Sequence, residues 1–205
     1  DASARRGGDY APPHSMEGHS KMTYGPMHIR MPEHGVINLK NTSYRIAATV
    51  MVQAGGQGVI ACQGGNMAGW SLYLDEASRP SYVYNWFGHE FTTLVGEPLA
   101  AGEHQICVEY AHDGGFAAGG DLELLVNGER VAEGRVKRTV PVIFSMSGET
   151  FDVGRDTGSP VGKYPHDFAF VGVIHGVTLE RLAEPSQEVK QQERKGAFKA
   201  GLSAQ

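Results

Sequence analysis

Much of what commonly announces a function is missing from this chain of 205 residues. It holds two cysteines, Cys62 and Cys107, and these do not decide a redox compartment. Each lies in a strand-like run, so two buried, reduced thiols are expected, with a single inter-strand disulfide as the alternative. Neither neighbourhood supplies the Cys, His and acidic set of a metal site. Positive charge is not in excess: 18 Lys and Arg against 23 Asp and Glu give a net charge of −5. That balance lacks the basic footprint of a nucleic-acid or anionic-membrane partner. No apolar run approaches the ~20 residues of a membrane-crossing helix. Catalytic signatures are also absent. There is no G-x-S-x-G elbow (the nearest serine contexts are GWSLY and FSMSG), no G-x-x-x-x-G-K-[ST] and no H-E-x-x-H. Sandwich glycosidases carry carboxylates flanking the scissile bond. Asp121 with Glu123 in DLELL comes nearest, lacks a third member, and reads as an exposed acidic strand edge. The chain opens without an initiator Met or a signal-peptide pattern, so it is expected to be a processed product or a piece of a longer polypeptide.

What is present points to strands. Glycine (28) and proline (10) are abundant, and hydrophobic residues at 40% against 20% charged fit a globular chain rich in turns. The organising stretch is Gly55 to Thr93, where Val59–Cys62, Trp70–Leu74, Tyr82–Asn85 and Phe87–Thr93 lie between glycine pairs or an Arg-Pro break. Aromatic and β-branched runs so bounded signal an antiparallel meander. Trp70, Leu72 and Leu74 should face one way and Ser71, Tyr73 and Asp75 the other. Tyr44–Val52 and His104–Tyr110 alternate in the same manner. Leu122–Val126 and Val131–Val136 flank Asn127-Gly128, the pair favoured in a type I′ hairpin. Shorter strands are expected at Ile37–Leu39, Val140–Phe144 and Phe151–Gly154. A long one should run from Phe168 to Leu182, with Val171, Val173, His175, Val177 and Leu179 sharing an apolar face.

Residues 1–35 carry four histidines, His14, His19, His28 and His34, but no period, and read as an extended arm or linker. Residues 36–182 form the domain, and 183–205 read as a polar tail whose Glu188–Lys195 segment lacks a face to bury. Ten to twelve strands with almost no helix in 36–182 predict an all-β fold: a two-sheet antiparallel β-sandwich of jelly-roll, concanavalin A-like kind. Three clusters merit attention as sites. Trp70, Tyr73, Tyr82, Tyr84, Trp86 and Phe87 can stack on sugar rings, or else fill a core or interface. Asp152 and Asp156 can offer oxygen ligands to Ca²⁺, with an Arg155 salt bridge to either as the simpler outcome. Asn41-Thr42-Ser43 formally matches an N-glycosylation acceptor.

The succession GVIACQGGNMAGWSLYL, YVYNWFG, LLVNGERVAEGRV, TVPVIFSMSGETFDVGRDTGSPV and FAFVGVIHGVTLE resembles, over roughly residues 32–182, the C-terminal domain of large bacterial arylsulfatases of the alkaline-phosphatase superfamily. The resemblance implies a non-catalytic accessory sandwich that packs on a sulfatase catalytic domain or chain and borders its substrate cleft. The hydrolase chemistry of that family belongs to an upstream C/S-x-P-x-R motif with formylglycine and a Ca²⁺-type divalent ion. Neither the motif nor the cofactor is expected here, and no catalytic residue carries over. The implied partners are the catalytic domain and a carbohydrate or sulfated substrate. The compartment stays open between bacterial cytoplasm and periplasm. A stand-alone carbohydrate-binding, lectin-like module is the alternative. Exposure of Trp70 and Trp86 separates the two: buried tryptophans favour the accessory domain, and a coplanar exposed pair favours the module.

Overall fold

Alternation of apolar and polar side chains builds eleven strands among the described residues: β1 (Lys21–Tyr24), β2 (Tyr44–Val52), β3 (Gly58–Gly64), β4 (Gly69–Leu74), β5 (Pro80–Trp86), β6 (Glu90–Val95), β7 (Gly102–His112), β8 (Gly120–Val126), β9 (Glu129–Val136), β10 (Phe151–Val153) and β11 (Gly172–Arg181). The structure, a computed structural model, describes residues 16–203 apart from Glu17 and Ser147. The start of the arm, with His14, lies outside the described residues. Two antiparallel sheets result, one of six strands in the order β1-β11-β2-β7-β8-β9 and one of five in the order β10-β3-β4-β5-β6.

The core fills the space between them. The six-stranded sheet contributes Ile46, Ala48 and Val50 from β2, Ile106 and Val108 from β7, Leu122 and Leu124 from β8, and Val177 and Leu179 from β11. Trp70, Leu72, Leu74, Tyr82 and Phe151 answer from the other sheet, and all of these are buried. Burying this much apolar surface is the main favourable term in folding. The polar tips of the core aromatics are satisfied locally. The Tyr44 and Tyr82 hydroxyls share a hydrogen bond at 2.8 Å, and Trp70 Nε1 donates to Gln63 Oε1 at 3.2 Å. The Asn127-Gly128 turn takes positive φ at both residues, 51° and 85°, as a type I′ hairpin requires.

The structure differs from the sequence expectation in five places. Ile37–Leu39 makes no strand, although Ile37 and Leu39 are buried in the core. His175 is exposed, not on the apolar face, because β11 bulges against β2 between Ile174 and Gly176. The extra residue shifts the parity, so Ile174, Val177 and Leu179 point inward while Val173 and His175 face solvent. The arm joins the sandwich from Lys21 onward: β1 pairs with β11, and Tyr24, wholly buried, accepts the Ile37 N–H on its hydroxyl. One inward residue in a four-residue strand leaves no readable period. The segment 140–144 makes no strand. It runs beside the core edge instead, its Val140 N–H donating to the Tyr84 hydroxyl. The tail expected over 183–205 contains a helix, α1 (Gln187–Ser203). It docks through buried Val189 and through Glu193 Oε1, which accepts Asn41 Nδ2 at 2.7 Å. These contacts, with Gly196 lying close against Val142, stand in for the apolar stripe that periodicity looks for. They also occupy the N-glycosylation candidate, since Asn41 is buried and its amide further donates to the Pro141 carbonyl.

A second lock joins arm and sandwich. Glu33 accepts the Phe144 and Ser145 N–H groups and holds Lys40 in an ion pair. Burial pushes its carboxyl upward, but Lys40 and the two N–H donors outweigh that and hold it below the ordinary glutamate value. A depressed folded-state pKa contributes stability above the unfolded value, 4.5, and loses it as pH falls through the folded one. Thermal melts should therefore fall below pH ~4.5 by a step that Glu33→Gln reduces. In the core, Trp70→Ala should cost about 3–5 kcal/mol in urea unfolding, against well under that for a surface substitution.

Candidate functional site

The two sheets present very different outer faces. On the five-stranded sheet, Val59, Cys62, Tyr73 and Val83 point outward, yet all are buried beneath the segment 154–171. Val161 caps them, and Tyr164 lies against Tyr73 with ring centroids 5.0 Å apart. The seal is close. Val59 N–H donates to the Phe168 carbonyl at 2.7 Å, and a Cβ at Gly58 would fall 2.2 Å from the Ala169 oxygen.

Asp152 and Asp156 sit beneath this segment. Each is 1% exposed. Asp152 accepts the Arg30 N–H on one oxygen, and Thr150 Oγ1, Thr157 N–H and Thr157 Oγ1 on the other. Asp156 accepts the Gly158 and Val161 N–H groups and the Tyr164 hydroxyl, the last at 2.8 Å. Ligand atoms of Cys62, Asp152 and Asp156 lie within 4.8 Å of one another. A cation entering there competes with seven protein donors. Burial pushes the Cys62 thiol well up, reinforced by both aspartates, and raises the Asp156 carboxyl. Both shifts favour the protonated, poorly ligating forms. Arg155 turns away and pairs with Asp167 at 3.5 Å. The geometry is that of a hub tying the covering segment to β10.

The aromatic set divides. Trp70, Tyr82 and Tyr84 belong to the core, and Tyr73 to the sealed face. Trp86 and Phe87 remain, half-buried at the β5–β6 turn with rings edge-on at 5.0 Å. The Arg138 guanidinium lies 3.7 Å over the Trp86 ring. The two tryptophans therefore form no coplanar exposed pair. By the exposure criterion above, the aromatic platform expected of a carbohydrate-binding module is not formed by them, and any sugar site must use other side chains.

The outer face of the six-stranded sheet is open, and pairing sorts its side chains into rows across the strands. One row runs Lys21, Glu180, Arg45, Glu109, Glu123, Glu133. The next runs Thr23, Thr178, Ala47, Cys107, Leu125. Beyond it, Thr49 lies beside Gln105. The small side chains of Ala47 and Cys107 leave a hollow of about 370 Å³. Lys21, Arg45, Gln105, Glu109, Thr178 and Glu180 stand around it. Outward residues along a strand repeat every ~6.8 Å, so the walls stand about 13 Å apart over the floor row. Arg45 Nη2 meets Glu109 Oε1 at 2.7 Å, and Lys21 Nζ meets Glu180 Oε2 at 3.2 Å. Thr23 and Thr178 share a hydroxyl hydrogen bond at 2.8 Å. The Cys107 thiol is pushed up to about 11 by burial and by Glu109, so it is neutral at physiological pH. It faces outward from β7, whereas Cys62 faces outward from the opposite sheet, and both are free. Asp121 and Glu123 lie on this same face, engaged by Arg135 and Arg130.

No sequence signal marks the hollow. Its floor is two small residues 60 positions apart (47 and 107), brought together only by strand register.

No family model matches this chain, and no curated protein matches it. Solved structures do. A carbohydrate-binding module, CBM40, of the Ruminococcus gnavus IT-sialidase, bound to α2,3-sialyllactose, superposes with a TM-score of 0.50 at 15% identity, over 75% of this chain and 83% of that one. The leech intramolecular trans-sialidase matches with a TM-score of 0.53 at 14% identity, over 84% of this chain but 26% of that one. The binding domain of botulinum neurotoxin DC gives 0.47 at 10% identity, over 77% and 36%. The likeness is one of fold. It establishes the lectin-like sandwich and corrects the arylsulfatase resemblance: the solved structures that share the fold are a sialidase's carbohydrate-binding module and a trans-sialidase, and no family model, sulfatase or other, matches. The shared glycine-aromatic runs follow from turns and core packing that many sandwiches need.

Removing the hub should loosen the seal. Asp152→Ala strands four donors and should cost about 2–4 kcal/mol in denaturant melts. If the hub acts through hydrogen bonds, neither added Ca²⁺ nor a chelator will move the melting temperature of the native chain.

Proposed function

We propose that this chain is a non-catalytic, lectin-like module that binds carbohydrate in the hollow on its open sheet face. The observation that carries the reading is the contrast between the faces: one sealed by a covering segment, the other a polar hollow over Ala47 and Cys107. Saccharide hydroxyls can be met by planar hydrogen-bonding side chains around a concave site. Arg45, Glu109, Gln105, Glu180 and the threonines supply that chemistry here. The acids on this face are held in ion pairs with Arg45, Lys21, Arg130 and Arg135, not poised as a proton-transfer pair across a gap. The sialyllactose-bound Ruminococcus gnavus module lends support by fold alone.

Trp86 and Phe87 enter the reading only as a brace for the β5–β6 turn, because Arg138 already covers the indole. A glycan array probed with the labelled chain tests the proposal, followed by titration of each ligand it retains. Ala47→Phe fills the hollow with a residue that strands tolerate well. It should weaken binding by tenfold or more while leaving the melting temperature within a few degrees. Retained affinity in that variant would place the ligand elsewhere.

A further inference from the structure

We infer that the hollow takes a neutral, hydroxyl-rich saccharide chain and discriminates against sialylated and other anionic glycans; the inference rests on the carbohydrate-binding reading above. Charge around the hollow is balanced internally. Its two cations, Lys21 and Arg45, face two carboxylates, Glu180 and Glu109, and each cation is already engaged. Arg45 gives both Nε, at 2.9 Å, and Nη2, at 2.7 Å, to the same Glu109 oxygen. One bidentate edge of the guanidinium, Nε with Nη2, is therefore occupied by a carboxylate from the protein, whose charge also stands beside the other edge.

A sialic-acid carboxylate would have to displace Glu109 from that edge or approach the Nη1 side of Arg45 next to the Glu109 charge. The displaced group would then stand beside Glu123, its neighbour on β8, with Glu133 next in the same row. Arg130 lies between the latter two, at 2.8 and 2.9 Å, and is committed to them. Farther along, Arg135 is held by Asp113 and Asp121. The field over the β7–β9 half of the face is accordingly negative and repels an anion. Neutral hydroxyls meet no such cost. They accept from Arg45, Lys21 and the Gln105 amide and donate to carboxylate, threonine and amide oxygens without breaking an ion pair. The neutral Cys107 thiol and Ala47 beneath add no charge.

The test is an array and solution titration of the full chain with lactose, N-acetyllactosamine, cellohexaose, xylohexaose and laminarihexaose beside 3′- and 6′-sialyllactose. At least one neutral glycan should bind about tenfold or more tighter than either sialyllactose, with little change from low to high salt. Glu109→Gln frees the Arg45 fork and removes one negative charge. This variant should gain 3′-sialyllactose affinity by about tenfold, now salt-dependent, while keeping the native melting profile. Both ion-pair partners are partly exposed, so folding is not at stake. Tighter binding of a sialyllactose than of every neutral glycan by the native chain overturns the inference and leaves the carbohydrate reading standing. Binding to none of the glycans overturns both.

Discussion

The structure depends on the hydrogen-bond hub that Asp152 and Asp156 make beneath the segment 154–171. Seven donors from the arm, from the start of β10 and from the covering segment converge on these two buried carboxylates. Burying carboxylates costs free energy unless donors compensate; the donors offset that cost in part, and at Asp156 burial still prevails and raises the carboxyl. Because the hub pins the segment, the outer face of the five-stranded sheet is closed, and Tyr73, Val83 and Cys62 become a second small core. The sandwich is left with one broad face open to solvent. That asymmetry, more than any single residue, is what the proposed binding face rests on.

Much of the fold was legible in the sequence, for definable reasons. Period-two alternation in Tyr44–Val52 reports one buried face directly, whereas Trp70–Leu74 keeps its alternating facing but is buried on both sides, and Asn127-Gly128 carries the backbone requirement of its turn in its composition. Legibility failed where one residue decides. The His175 bulge reverses parity for half of β11 with no mark in the sequence. α1 docks through scattered residues, among them Val189, Glu193 and Gly196, so no amphipathic stripe announces it. The arm enters the sheet through a single inward tyrosine, Tyr24.

The site was less legible than the fold. Aromatic residues drew attention because they can stack on sugars, yet the same property makes them efficient core filler, and Trp70, Tyr82 and Tyr84 serve there. Their spacing in sequence is identical in either role, so only burial distinguishes them. The hollow, by contrast, is made of what is small. Ala47 and Cys107 are inconspicuous singly, and they form a floor only because β2 and β7 pair in one register. A concavity defined by missing side-chain volume leaves no motif.

The open face also shows why fold likeness and ligand chemistry must be argued separately. The sandwich shared with a sialyllactose-bound module fixes where sheets and loops lie, but not which side chains stand on the open sheet. On this chain the alternating row of Lys21, Glu180, Arg45 and Glu109 satisfies itself. Exposed ion pairs of this kind add little stability, about 0–1 kcal/mol each, so their consequence lies in recognition. A cation already facing a carboxylate at hydrogen-bond distance withholds its charge from an incoming anion while still donating to a hydroxyl. A row neutralised from within in this way is what the proposed preference for neutral hydroxyls over anions rests on.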